Sequence, residues 1–201
     1  MAKTAIKRRS VRRPAPRLVI PTDEQLNAPQ RALIDALRAG PRGKSVGIRG
    51  PFAAFIHAPA FGDLAQRLGA HCRFRTVVPP RLSEFAILCT ARLWRAQYEW
   101  YAHEPMALKA GVLPKTLRDL KAGRAPAGAP SDERAVYDFV HELYRTRRVS
   151  NRTYKRVHGF LDDGGMVEFV GIIGYYVLIS MTLNVFQLLP PKDAALPFEE
   201  R

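Results

Sequence analysis

From Phe169 to Leu189 the chain runs through 21 residues without one charged side chain. A helix of that length and composition either crosses a bilayer or is buried inside protein. Tyr175, Tyr176, Ser180, Thr182, Asn184 and Gln187 are spread along it, and its N-terminal flank carries Asp163 and Glu168 rather than Lys or Arg. These features favour a helix buried in a core or a subunit contact, and no membrane association is expected. With 201 residues the chain has room for one domain with a sizeable core.

The rest of the chain reads as further helices. Leu26, Leu33, Ile34 and Leu37 recur at helical spacing, which predicts a helix over 24–39, capped by Thr22 or Asp23 and ended by Gly40. Residues 40–52 are a Gly/Pro-rich loop. It contains Gly43-Lys44-Ser45 but lacks the earlier glycine of a phosphate-binding loop. A second helix is expected over 59–74, with Phe61, Leu64, Ala65 and Leu68 on its apolar face. Pro79 and Pro80 break the chain. Helical pattern then runs from Arg81 to Lys109 and stops at Gly111. Shorter helices are expected over 114–122, over 133–146 with Ser131 or Asp132 as cap, and over 151–162 after Ser150, closed by Gly164-Gly165. The last helix covers about 166–185. No alternating strand pattern and no repeat is visible, so the fold class is all-α.

Charge is uneven. The net charge is +14, and half of it sits in residues 1–22, which hold seven Lys or Arg and no Asp or Glu. This segment reads as a disordered solvated arm. Contact with nucleic acid or another acidic surface is open only through this arm, and no aromatic residue interleaves with its charges. An Arg-rich, acid-free organelle transit peptide is the other alternative, whereas a secretory signal would need an apolar core that is missing. The organisation expected is an arm over 1–22, one domain over 23–190 and a C-terminal tail over 191–201. Cys72 and Cys89 are the only cysteines. They form no CxxC pair and read as buried, inert thiols in a reducing cytoplasm.

The segment from Arg81 to Gly111 carries the chemistry. Glu99 and His103 are four residues apart and share one helical face. A carboxylate there can orient the imidazole and raise its pKa. Tyr98, Trp100 and Tyr101 add bulk able to exclude water. An exposed surface Glu–His pair fits the spacing equally well. Glu84 lies about 28 Å from His103 on a straight helix. Nothing in the composition of Trp94-Arg95-Ala96-Gln97 signals a break that would bring them together.

PPRLSEFAIL, AQYEWYAH and ALKAGV in this segment resemble the core of the carboxymuconolactone decarboxylase family, whose relatives include alkylhydroperoxidases of the AhpD type. GIRGPFAAFIHAP and GYYVLISMTLNVF are similar to the early loop and final helix of the family's longer bacterial members. The resemblance covers most of residues 23–190. It implies an AhpD-like helical bundle, a trimer or hexamer, and a helix break that lets Glu84 meet His103. The peroxidase branch needs a CxxC pair, and the corresponding positions hold Ala96 and Glu99. Neither residue can supply a thiolate.

The function implied is a cofactor-free, decarboxylase-like lyase acting on a small carboxylated lactone or related ring, with His103 as proton donor, Glu99 orienting it and Glu84 completing a relay. Arg81 or Arg49 would bind a substrate carboxylate, with His57 and Tyr98 as further pocket residues. No metal and no cofactor is expected. His141 and His158 read as structural. The alternatives are an alkylhydroperoxidase or peroxiredoxin-like protein using Cys72 or Cys89, and a non-catalytic helical binding oligomer.

Overall fold

The structure, a computed structural model, describes residues 13–199; most of the predicted arm, residues 1–12, lies outside the described residues, as do residues 200 and 201. The described chain is all-helical. The helices are α1 (Ala28–Ala39), α2 (Phe52–Phe55), α3 (Pro59–Phe74), α4 (Pro80–Trp94), α5 (Gln97–Lys109), α6 (Pro114–Lys121), α7 (Ser131–Thr146), α8 (Asn151–His158) and α9 (Asp163–Val185).

The first helix starts later than its periodicity predicts. A single 3-10 turn, Asp23–Gln25, precedes it, with the Gln25 side chain accepting from the Thr22 amide. Asn27 and Gln30 then form a second reciprocal cap, each side chain accepting from the other's amide at 3.0 Å. Pro29 fits the first turn of α1, where no N–H is needed. Leu33, Ile34 and Leu37 are buried as expected. At the other end of the chain, Asp162 accepts from the Gly165 amide and caps α9, so Gly164 and Gly165 open this helix rather than close the one before it.

α4 is the central element. Leu82, Ser83 and the whole run from Phe85 to Ala91 are buried, because α9, α5 and α7 cover it on different sides. α9 buries Phe169, Ile172, Ile173, Tyr176, Ile179 and Leu183 against this core. By length and composition it could cross a membrane, and half of its most apolar window is buried. Its other face stays exposed and apolar, with Val167, Val170, Met181 and Val185 at helical spacing.

α3 has the predicted boundaries but turns a different face inward. Phe61, Leu64 and Leu68 are exposed, and the buried side is made of Gly62, Ala65, Gln66, Gly69, Ala70 and Cys72. Close approach explains this. A Cβ at Gly69 would sit 2.1 Å from the Tyr175 hydroxyl, so only glycine lets α9 pack this near.

Both predicted tails are partly structural. Arg13 donates to the Pro191 carbonyl at 2.8 Å, and the Arg17 amide donates to the Phe186 carbonyl at 3.0 Å. This docks residues 13–17 on the end of α9. In the C-terminal segment, Phe198 is buried, with its ring edge-on to Trp100 at 5.3 Å. Residues on both sides of the 23–190 span thus pack on the helical body.

Candidate functional site

The site depends on the turn between α4 and α5, where a continuous helix is expected from composition. Arg95 adopts a left-handed conformation (φ 51°, ψ 35°). The Ala96 amide donates to the Ala91 carbonyl at 2.9 Å and the Arg95 amide to the Arg92 carbonyl at 3.2 Å. This is a Schellman ending with arginine where glycine is usual. A non-glycine residue there costs about 1–2 kcal/mol. Distant residues compensate. Asn184 donates to the Trp94 carbonyl at 2.7 Å, and Gln97 exchanges two hydrogen bonds with the Phe198 backbone. The chain reverses, and α5 returns along α4.

The reversal brings Glu84 of α4 to His103 of α5. Glu84 Oε2 lies 2.6 Å from His103 Nδ1, and Glu99 Oε1 lies 3.0 Å from His103 Nε2. His103 and Glu99 are almost fully buried. Burial alone would lower the imidazole pKa, but the hydrogen bonds and charges of Glu84 and Glu99 outweigh it and hold it near 9. His103 is thus an imidazolium at neutral pH, between two carboxylates. The Tyr176 ring stands edge-on to it at 5.0 Å.

A cleft of about 360 Å³ opens on this group. α5 contributes Tyr98, Glu99, Ala102 and His103, and α9 contributes Tyr175, Tyr176 and Ile179. The loop before α2 and the end of α3 form the other walls, including Arg42, Arg49, Arg73 and Phe74. Gly50 seats the loop on α5. Its φ is +56°, and a Cβ there would lie 2.4 Å from the Tyr98 ring. A side chain at this position would push the loop off the cleft.

The predicted residues separate clearly. Glu84, Glu99 and His103 converge. Tyr98 lines the cleft, and Arg49 lines it from an exposed loop position. His57 is exposed and outside the lining. Arg81 is also outside it. Its guanidinium is held by Asp132 and by Glu133, the latter at 2.5 Å, so it is a structural arginine rather than a carboxylate binder. Both cysteines are buried and unpaired, and neither lines the cleft. Burial pushes the Cys72 thiol up to about 11 and that of Cys89 well above its ordinary value. Arg42, Arg73, Tyr175 and Tyr176 have no place in the predicted site. Only the unusual polarity of the two tyrosines inside an apolar run hinted at them.

The geometry bears on how the three residues can act. Both ring nitrogens of His103 are occupied by carboxylates, so the imidazolium has no free N–H to give a substrate. Glu99 lines the cleft, and Glu84 does not. His103 lines the cleft as well, but with both ring nitrogens engaged Glu99 is the group left to exchange a proton with a bound molecule. Among the described residues no set of His, Cys, Asp and Glu side chains is grouped to hold a metal ion.

No protein-family model and no curated protein matches the sequence. In structure the chain is similar to a crystal structure of an alkylhydroperoxidase AhpD core, an uncharacterized peroxidase-related protein from Ralstonia eutropha JMP134. The TM-score is 0.73 over 90% of this chain and 94% of that one, at 17% identity. The fold is AhpD-like. This agrees with the fold implied by the motifs of residues 81–111, including the break between α4 and α5. At this identity the likeness fixes the AhpD-like architecture and leaves the chemistry to the site.

Proposed function

We propose that this AhpD-like protein is a cofactor-free acid–base lyase, decarboxylase-like, acting on a small unsaturated ring that carries a carboxylate, such as a lactone. The observation that carries this reading is the Glu99–His103–Glu84 array opening on a cleft that no thiol lines.

In the reaction, the bond between ring carbon and carboxylate breaks and CO2 leaves. The electron pair delocalises into the unsaturated carbonyl as an enolate. The proton on His103 Nε2 passes to the Glu99 carboxylate, which delivers it to carbon, and solvent restores the imidazolium. Glu84 holds Nδ1 and keeps the imidazole charged. The cationic walls stabilise the developing oxyanion.

Purified protein is expected to release CO2 from a carboxylated unsaturated lactone without added metal or cofactor. Absence of turnover with any such substrate would overturn the reading. The peroxidase named for the similar structure supplies the competing chemistry, and the cysteines test it. A Cys72→Ala/Cys89→Ala protein is expected to keep full lyase activity. Hydroperoxide consumption that disappears in this variant would instead favour a thiol mechanism.

We also propose that the protein is a homo-oligomer whose contact uses the exposed apolar sides of α3 and α9. Leu64 and Val167 are 64% and 74% exposed, and Gly171 and Gly174 leave the α9 stripe low enough for close approach. Light scattering is expected to give a multiple of the chain mass. Leu64→Glu with Val170→Glu should reduce it to a monomer, and a wild-type monomer would refute the contact.

A further inference from the structure

We propose that Arg42 and Arg73 form an anion seat in the cleft that takes the carboxylate of a small, planar organic acid and sets it beside Glu99. The inference deepens the lyase reading by naming what the cleft binds, but its test needs no turnover.

Neither arginine is paired with a carboxylate among the described residues. Arg42 donates to the Gln66 carbonyl at 3.2 Å and lies over the rings of Phe52 and Phe74 at 5.5 and 5.9 Å. Arg73 has its guanidinium 4.9 Å from the same Phe74 ring and donates to the Met106 sulfur. Its Nε is buried with no hydrogen-bond partner. Nearby acids are committed elsewhere: Asp63 to Arg67 and Gln66, and Glu168 to His71, Thr76 and the Val77 amide.

Two guanidiniums around one aromatic ring repel each other, and partial burial strengthens the repulsion. Burial lowers the pKa of Arg42, and Arg73 pushes it the same way. Tyr175 and Tyr176 act in the opposite sense, but no carboxylate pairs with either guanidinium among the described residues, and a bound anion would. A guanidinium fork matches a carboxylate in shape as well as charge.

Tyr175 links the seat to the acid. It lies within electrostatic reach of Arg42, Arg73 and Glu99 together. Tyr175 and Tyr176 both line the cleft beside Glu99. Phe52, Phe74 and Ile179 give the apolar surface for a flat ring, and about 360 Å³ suits a small molecule.

The test compares benzoate with benzamide, its neutral counterpart, by calorimetric titration of the full-length protein. Benzoate is expected to bind at least tenfold more tightly. Arg42→Met and Arg73→Met should each weaken benzoate about tenfold or more, equivalent to about 1.4 kcal/mol, and leave benzamide unchanged. Because each change removes an unpaired charge, melting temperatures should hold or rise, which separates lost binding from lost folding. Equal affinity for the two probes, no benzoate binding at millimolar concentration, or full benzoate affinity in both variants would overturn the seat. Benzoate binding through the arginines without CO2 release from any lactone would refute the lyase and keep the seat. Turnover with KM and benzoate affinity unmoved in both variants would do the reverse.

Discussion

Replacing Glu99 with Gln is expected to lower kcat by about 10²–10⁴-fold, the usual contribution of a positioned acid–base group, with little change in KM. The amide keeps the shape and hydrogen-bonding reach of the acid but cannot carry a proton. His103→Ala should cost about as much, because the two act as one unit and their losses do not add. Glu84→Gln tests a positioning role. Glu84 touches only His103 in this array, so its loss should appear in the pH profile. With His103 held near 9, wild-type activity should persist through neutral pH and fall as the imidazolium deprotonates. Removing Glu84 takes away the strongest support for that charge, so the alkaline limb should move to lower pH. An unmoved limb would show that His103 is not the titrating group.

The same shift has a stability consequence. The folded pKa of His103 lies above its ordinary 6.5. Its contribution to stability is therefore fully present below about pH 6.5 and is lost as pH rises through about 9. Melting temperature should decline between pH 7 and 10 in the wild type, and more weakly in Glu84→Gln.

Much of this was legible in the sequence where local rules decide. The span of α3 is legible in its apolar spacing, and Glu99 with His103 in their four-residue spacing. The meeting of Glu84 and His103 was not legible from composition. The break that allows it puts arginine at a position glycine usually fills, and its support comes from Asn184 and Phe198, about 90 and 100 residues away. Family motifs reached it only because they carry the fold with them. The inward face of α3 was misread for a related reason. Apolar spacing marks a stripe to be covered but does not say by what, and the small residues on the opposite side let α9 come closer. Arg42 and Arg73 are ordinary in sequence. Their meaning lies in having no acid paired with them among the described residues, which is a property of the packed chain.

Arg81→Ala is expected to destabilise the protein by about 3–5 kcal/mol, the range for removing one partner of a buried ion pair. The cause is Glu133 rather than Arg81. The Glu133 side chain is 1% exposed, and its Oε2 has no hydrogen-bond partner even in the intact pair. Burial raises its pKa, and Arg81 pulls it back down. Without the guanidinium, a charged carboxylate is left on the packed side of α7, and Asp132 beside it adds repulsion. Glu133 can relieve this by taking up a proton, so the variant should lose most stability at neutral and alkaline pH and regain part of it toward pH 5. Denaturant unfolding at both pH values measures this. Arg81→Ala/Glu133→Leu should recover most of the loss, because an apolar side chain can fill the buried space without a charge. Benzoate affinity and KM, measured well below the melting temperature, should be unchanged in Arg81→Ala. A weaker benzoate affinity or a higher KM with little loss of stability would return Arg81 to the substrate.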